Sequence, residues 1–232
     1  MTEVIASVLP FKTYEELKNK IESLRSVVST IQIDLCDGIF VPSQTWPFTS
    51  GGFDDYDFQK IMSEEQGLPF WDEFDFEIDL MVADAVENFD IYMKLGAKRM
   101  IFHMEAMESL DNFRDFLEGI DLYIRDNIQI GIAFKPSMPL QNVFSLIPFV
   151  DFVQCMGNDK IGFGGVPLDE KVYNRIELLR EKHPDLPIEV DIGVNGETAP
   201  KLVEAGATKL ITGSALFNSY DKIGFIERFQ NL

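Results

Sequence analysis

Three aspartates stand where strand alternation turns them away from apolar neighbours. In Thr30–Leu35, Ile31, Ile33 and Leu35 share one face, and Gln32 and Asp34 share the other. In Phe76–Val82, Ile78, Leu80 and Val82 oppose Glu77, Asp79 and Met81. In Pro187–Ile192, the pattern sets Ile188, Val190 and Ile192 against Glu189 and Asp191. If the apolar faces pack on helices, Gln32, Asp34, Asp79 and Asp191 converge near the ends of their strands. Gathering carboxylates in an interior is costly unless a cation, or a proton held through a raised pKa, offsets the repulsion. A purely structural polar plug is the alternative.

A second set of residues suits phosphate. Gly162-Phe163-Gly164-Gly165, Ile192-Gly193-Val194-Asn195-Gly196 and Thr212-Gly213-Ser214-Ala215 each let backbone N–H groups come close to an anion. Lys135 and Lys160 stand in loops where they could draw an anion in.

The elements that must position these groups are read from periodicity. Apolar strand segments recur at Val4–Leu9, Thr30–Leu35, Phe76–Val82, Arg99–Met104, Ile128–Phe134, Phe149–Met156, Pro187–Ile192 and Lys209–Ser214. Helical patterns fall between most of them. Thr13 to Glu16 reads as a capping box, with Leu17, Ile21, Leu24 and Val28 on one face behind it. Asp84 and Glu87 suggest a second such cap, before an inner stripe of Val86, Phe89 and Met93. Phe113, Phe116, Leu117 and Ile120 mark a fourth helix, and Val172, Ile176 and Leu179 a sixth. Gly96 and Gly206 sit where helices should stop.

Strand–helix alternation throughout means a parallel sheet, and roughly 29 residues per unit suits a closed TIM (β/α)8 barrel, an α/β fold. The expectation is one domain spanning 1–232, with a long loop after strand 2 over 43–75. That loop carries Trp46 and Trp71 and is expected to hold a short helix near Phe58–Glu65. Loops of that length are often lids or interfaces, and barrels of this kind often associate into homo-oligomers. The three glycine segments follow the last barrel strands, where this fold commonly binds phosphate.

Composition narrows the partners. With 39 Asp plus Glu against 20 Lys plus Arg, the net charge is −19. Nucleic acid and anionic membrane surfaces are therefore not expected partners. No apolar run approaches the ~20 residues needed to span a bilayer, and no leader pattern opens the sequence. The two cysteines, Cys36 and Cys155, read as small apolar filler, and a reducing cytoplasm is the expected home.

Taken in order, the motifs resemble those of the ribulose-phosphate 3-epimerase family. Gln32-Ile33-Asp34-Leu35-Cys36-Asp37-Gly38-Ile39-Phe40-Val41-Pro42 is similar to the signature His-x-Asp-x-Met-Asp-Gly-x-Phe-Val-Pro, and Asp79-Leu80-Met81-Val82 to His-Leu-Met-Val. Phe102 to Ala106, Gly131 to Pro136, Gly162 to Gly165, Val190 to Gly193 and Gly213 to Phe217 match further family segments, and Ser7 falls on a substrate-contacting serine.

The resemblance implies an epimerase interconverting ribulose 5-phosphate and xylulose 5-phosphate through an enediolate. It gives Asp34 and Asp191 the proton transfers. Ser7, Gly164, Gly165, Gly193, Gly213 and Ser214 would bind substrate. The family's metal, held by two histidines and these two aspartates, would map onto Gln32, Asp34, Asp79 and Asp191. Both histidines are absent here, replaced by Gln32 and Asp79. Of the family's three apolar-cap methionines, Met81 and Met156 remain and Cys36 replaces the third. Ile192 stands in place of a glycine.

Oxygen donors favour Mg2+ or Mn2+ over Zn2+. A metal-free alternative has a protonated Asp79 donating to the enediolate. Two other readings stand beside these: a sugar-phosphate-binding protein without turnover, and an epimerase for a different ketose phosphate. His103, inward on strand 4 beside Glu105, is either a positioning group or a core histidine. His183 reads as a surface helix-end residue.

Overall fold

The computed structural model describes residues 2–232. Its strands are β1 (Glu3–Ser7), β2 (Thr30–Cys36), β3 (Asp75–Met81), β4 (Arg99–His103), β5 (Gln129–Phe134), β6 (Phe152–Met156), β7 (Ile188–Asp191) and β8 (Lys209–Thr212). Each pairs in parallel with the next and β8 returns to β1, closing the barrel. The helices are α1 (Tyr14–Glu22), α2 (Tyr56–Met62), α3 (Phe89–Met93), α4 (Leu110–Gly119), α5 (Leu122–Asn127), α6 (Leu140–Leu146), α7 (Lys171–Lys182), α8 (Ala199–Ala205), α9 (Ser214–Phe217) and α10 (Lys222–Gln230).

Two apolar layers follow from the alternation. Ile31, Ile33, Leu35, Ile78, Leu80, Ile188 and Val190 face outward and join the apolar stripes of the helices in the main core. Cys36, Met81, Ile101, Ala133, Phe152 and Met156 form a smaller cluster inside the barrel. Phe113 and Leu117 of α4, and Val172, Ile176 and Leu179 of α7, are buried as their spacing predicts.

Most expected caps hold. Thr13 accepts from the Glu16 amide at 3.1 Å, and the Glu16 carboxylate accepts from the Lys12 amide at 2.7 Å. Gly96 and Gly206 both take positive φ just past their helices. Asp84 departs from expectation. Its carboxylate accepts from Asn88 Nδ2 at 2.7 Å and from the Tyr92 hydroxyl at 2.8 Å, and α3 itself begins only at Phe89. Tyr92, rather than Met93, is the fully buried partner of Phe89 in α3.

The 43–75 stretch is anchored to the wall through a few buried side chains. Trp46 is 1 % exposed, with ring centroids 5.3 Å from Tyr14 and 5.8 Å from Phe58. Its indole N–H donates to Asp55 at 2.8 Å, and Asp55 also caps α2 through the Phe58 amide at 3.0 Å. Phe58, Ile61 and Leu68 join the main core, whereas Trp71 stays exposed.

Charge closes the N-terminal end of the barrel. Arg99 Nε lies 2.9 Å from Glu77 and its Nη2 2.7 Å from Glu3. Lys209 Nζ lies 2.6 Å from Glu189, and Arg99 Nη1 is 3.7 Å from the same carboxylate. The polar-plug reading thus describes Glu77 and Glu189, one inward position below Asp79 and Asp191.

Candidate active site

The three aspartates sit at the C-terminal ends of β2, β3 and β7. Asp34 and Asp79 are direct partners in the β2–β3 register, and β7 lies across the barrel from β3. One carboxylate oxygen from each of Asp34, Asp79 and Asp191 falls within 4.8 Å of the others.

Each acid is held differently. Asp34 accepts from the Ser7 hydroxyl at 2.7 Å and from Gln32 Nε2 at 2.6 Å. Asp79 has His103 Nε2 at 2.7 Å on one oxygen and accepts from Gln154 Nε2 at 3.1 Å on the other. Gln154 was not singled out from sequence, although it occupies an inward position on β6 by the same alternation that marks Asp79. His103 is fully buried and hydrogen-bonded to Asp79, which is compatible with both readings of it, core histidine and positioning group. Burial disfavours its charged form, yet the adjacent Asp79 carboxylate outweighs this and holds the imidazole above its ordinary value.

Asp34 and Asp191 reach a cavity of about 270 Å³, whose lining also includes Ser7, Met81, Gly164, Gly165, Gly193, Gly213 and Ser214. Every expected substrate-contacting residue therefore faces the same space. Gln32 and Asp79 are fully buried and do not line it. The cradle needs close backbone approach. Gly193 has φ +76, and a Cβ there would meet the Leu168 amide nitrogen at 2.5 Å.

The donor set fits a hard divalent cation. Three carboxylates converge, and Gln32 Oε1 is buried with no hydrogen-bond partner among the described residues. Both Asp79 oxygens are engaged inside the barrel, one with His103 and one with Gln154.

Burial, and then the Asp79 carboxylate, push Asp34 up to about 7 against the hydrogen bonds from Ser7 and Gln32. Burial together with Asp34 and Asp79 holds Asp191 well above the usual carboxylate range. A carboxyl raised on folding keeps its proton after the unfolded chain has released it. Its contribution to stability is therefore present at low pH and is lost as pH rises from the ordinary 3.8 to about 7. In chelator, the stability of Asp34→Asn relative to wild type is expected to increase across that interval. Denaturant titrations at several pH values measure it, and a pH-independent difference would contradict the raised value.

A closed parallel barrel with carboxylates and glycine-rich segments sharing one cavity at the strand C-termini is the layout of a (β/α)8-barrel enzyme. The chain belongs to the ribulose-phosphate 3-epimerase family, whose sequence model matches residues 3–217. It is 30 % identical over 228 residues to the ribulose-phosphate 3-epimerase of Bacillus subtilis, covering 96 % of this chain and 95 % of that one. It is 30 % identical over 192 residues to the enzyme of that name from Eremothecium gossypii, covering 83 % of this chain and 76 % of that one. Among solved structures, KGPDC from Streptococcus mutans shares the fold at TM-score 0.66 and 12 % identity, covering 100 % of this chain and 96 % of that one. The 3-hexulose-6-phosphate synthase of Salmonella typhimurium does so at 0.64 and 14 %, covering 100 % and 97 %. No helix among the described residues is long and apolar enough to cross a membrane.

Proposed function

We propose that this chain is an epimerase for a ketopentose 5-phosphate of the ribulose 5-phosphate and xylulose 5-phosphate type. It inverts the carbon next to the ketone by proton transfer between Asp34 and Asp191. The observation that carries the reading is that these two carboxylates, from β2 and β7, line the cavity that also holds the glycine cradle.

The chemistry follows from the geometry. Backbone N–H groups around Gly164, Gly165, Gly193, Gly213 and Ser214 take the phosphate and place the sugar over the acids. One aspartate, as carboxylate, removes the C3 proton, and the bonding pair moves toward the carbonyl oxygen to give an enediolate. The other aspartate, as carboxylic acid, returns a proton to the opposite face of C3. Asp34 and Asp191, with raised and mutually dependent affinities for protons, suit a site that must hold one acid and one base at once. Ser7 fixes the Asp34 carboxylate, and His103 with Gln154 fixes Asp79. Asp34, Asp79, Asp191 and Gln32 would hold a divalent ion, Mg2+ or Mn2+ being favoured by the oxygen donors, and it would supply positive charge near the substrate oxygens.

The test is turnover after chelation. Epimerisation is expected to fall on treatment with chelator and to return with Mg2+ or Mn2+ more fully than with Zn2+. No turnover of any ketose phosphate with any of these ions would end the proposal. Undiminished turnover in excess chelator would remove the cation from it and return the role to Asp79.

A further inference from the structure

Ile192 is the one β-branched residue at positive φ among the described residues, at +74°. A branched side chain is disfavoured in that conformation. Strand β7 ends one residue earlier, and the left-handed turn breaks the alternation. The sequence pattern set Ile192 outward with Val190, but it packs in the cluster inside the barrel with Met81 and Met156.

The backbone there is constrained on both sides. A Cβ at Gly157 would overlap the Ile192 carbonyl, and Gly193 follows at φ +76. Glycine, which the matching family motif carries at this position, would hold the same path without strain. The residue is 9 % exposed and is among those lining the cavity beside Asp191. The site thus keeps an unfavourable backbone conformation together with a bulky aliphatic group at the reacting end of the pocket.

We propose that Ile192 is a specificity-determining residue: its branched side chain occupies room beside Asp191 and limits the cavity to a short ketose phosphate. This rests on the reading that the cavity binds a ketose phosphate at all. Removing apolar bulk from a pocket wall shifts discrimination between substrates differing by one carbon unit by roughly tenfold or more.

The test compares ribulose 5-phosphate with fructose 6-phosphate, a ketose phosphate one carbon longer. Dissociation constants by calorimetry and deuterium exchange at C3 are measured in the full chain. Ile192→Gly and Ile192→Ala are expected to shift the ratio of affinities toward the longer sugar by about tenfold, and Ile192→Val by a smaller factor in the same direction. Alanine keeps the Cβ and its strain but lacks the bulk. A shift confined to the glycine variant would assign the effect to backbone relaxation and overturn the proposal. An unchanged ratio in all the variants would overturn it too. Valine, the mildest change, keeps the test informative if a larger truncation fails to fold. Failure of both sugars to bind any of these chains, wild type included, would overturn the parent reading and this one with it.

Discussion

Asp191→Asn is expected to slow epimerisation by roughly 10²–10⁴-fold, the range typical of losing a positioned acid or base, while solvent deuterium still enters C3 of one of the two epimers. The asymmetry comes from the two walls of the barrel. Asp34 projects from β2 and Asp191 from β7, and both reach the cavity. A carboxylate serving one face of C3 can still remove and return a proton on that face when its partner is lost. It cannot deliver a proton to the other face, so exchange continues without inversion. Asp34→Asn should show the mirror result, with exchange surviving only in the other epimer. Proton NMR of each epimer in deuterium oxide reads both effects. Loss of exchange from both epimers in each single variant would mean that the acids do not divide the faces between them. Wild-type chain that exchanges neither epimer would instead be a binding protein.

The largest stability effect is expected at the opposite end of the barrel. Arg99→Met removes the cation that lies 2.9 Å from Glu77, a carboxylate with no solvent exposure. Glu189 keeps Lys209 at 2.6 Å, but no ion pair with Glu77 remains among the described residues. Breaking a buried pair from one side typically costs about 3–5 kcal/mol, because the remaining charge is left uncompensated. Urea unfolding at neutral pH is expected to show a loss of that order, and Glu77→Gln in the same chain should recover much of it. Burial, followed by the Glu189 carboxylate, already raises Glu77 well above its ordinary value. Losing Arg99 raises it further, so the penalty should shrink as pH falls and Glu77 takes up a proton. A loss below about 1 kcal/mol would show that water reaches Glu77 and replaces the guanidinium.

Both predictions concern inward residues on the same strands, which marks how far the sequence could be read. Period-two alternation correctly set Gln32, Asp34, Glu77, Asp79, Glu189 and Asp191 inside the barrel, since that pattern is local. It did not separate the acids into a charged plug and a site. The separation depends on Arg99 from β4 and Lys209 from β8 arriving beside Glu77 and Glu189. The long 43–75 stretch was legible as an addition after β2. Its role in the wall depends on Trp46 packing against Tyr14 of α1, a contact between segments far apart in the chain.

The amino-acid order alone determined the barrel, most faces of its strands and helices, and the family motifs, because each is written in residues close together in the chain. The assembled fold decided the rest. It brought His103 and Gln154 to Asp79 from β4 and β6, placed Asp34 and Asp191 on one cavity, and turned Ile192 inward. These are contacts between separate strands, plus one backbone torsion that runs against the preference of its own residue. Their geometry exists only once the ring of strands has closed and packing outweighs local preference.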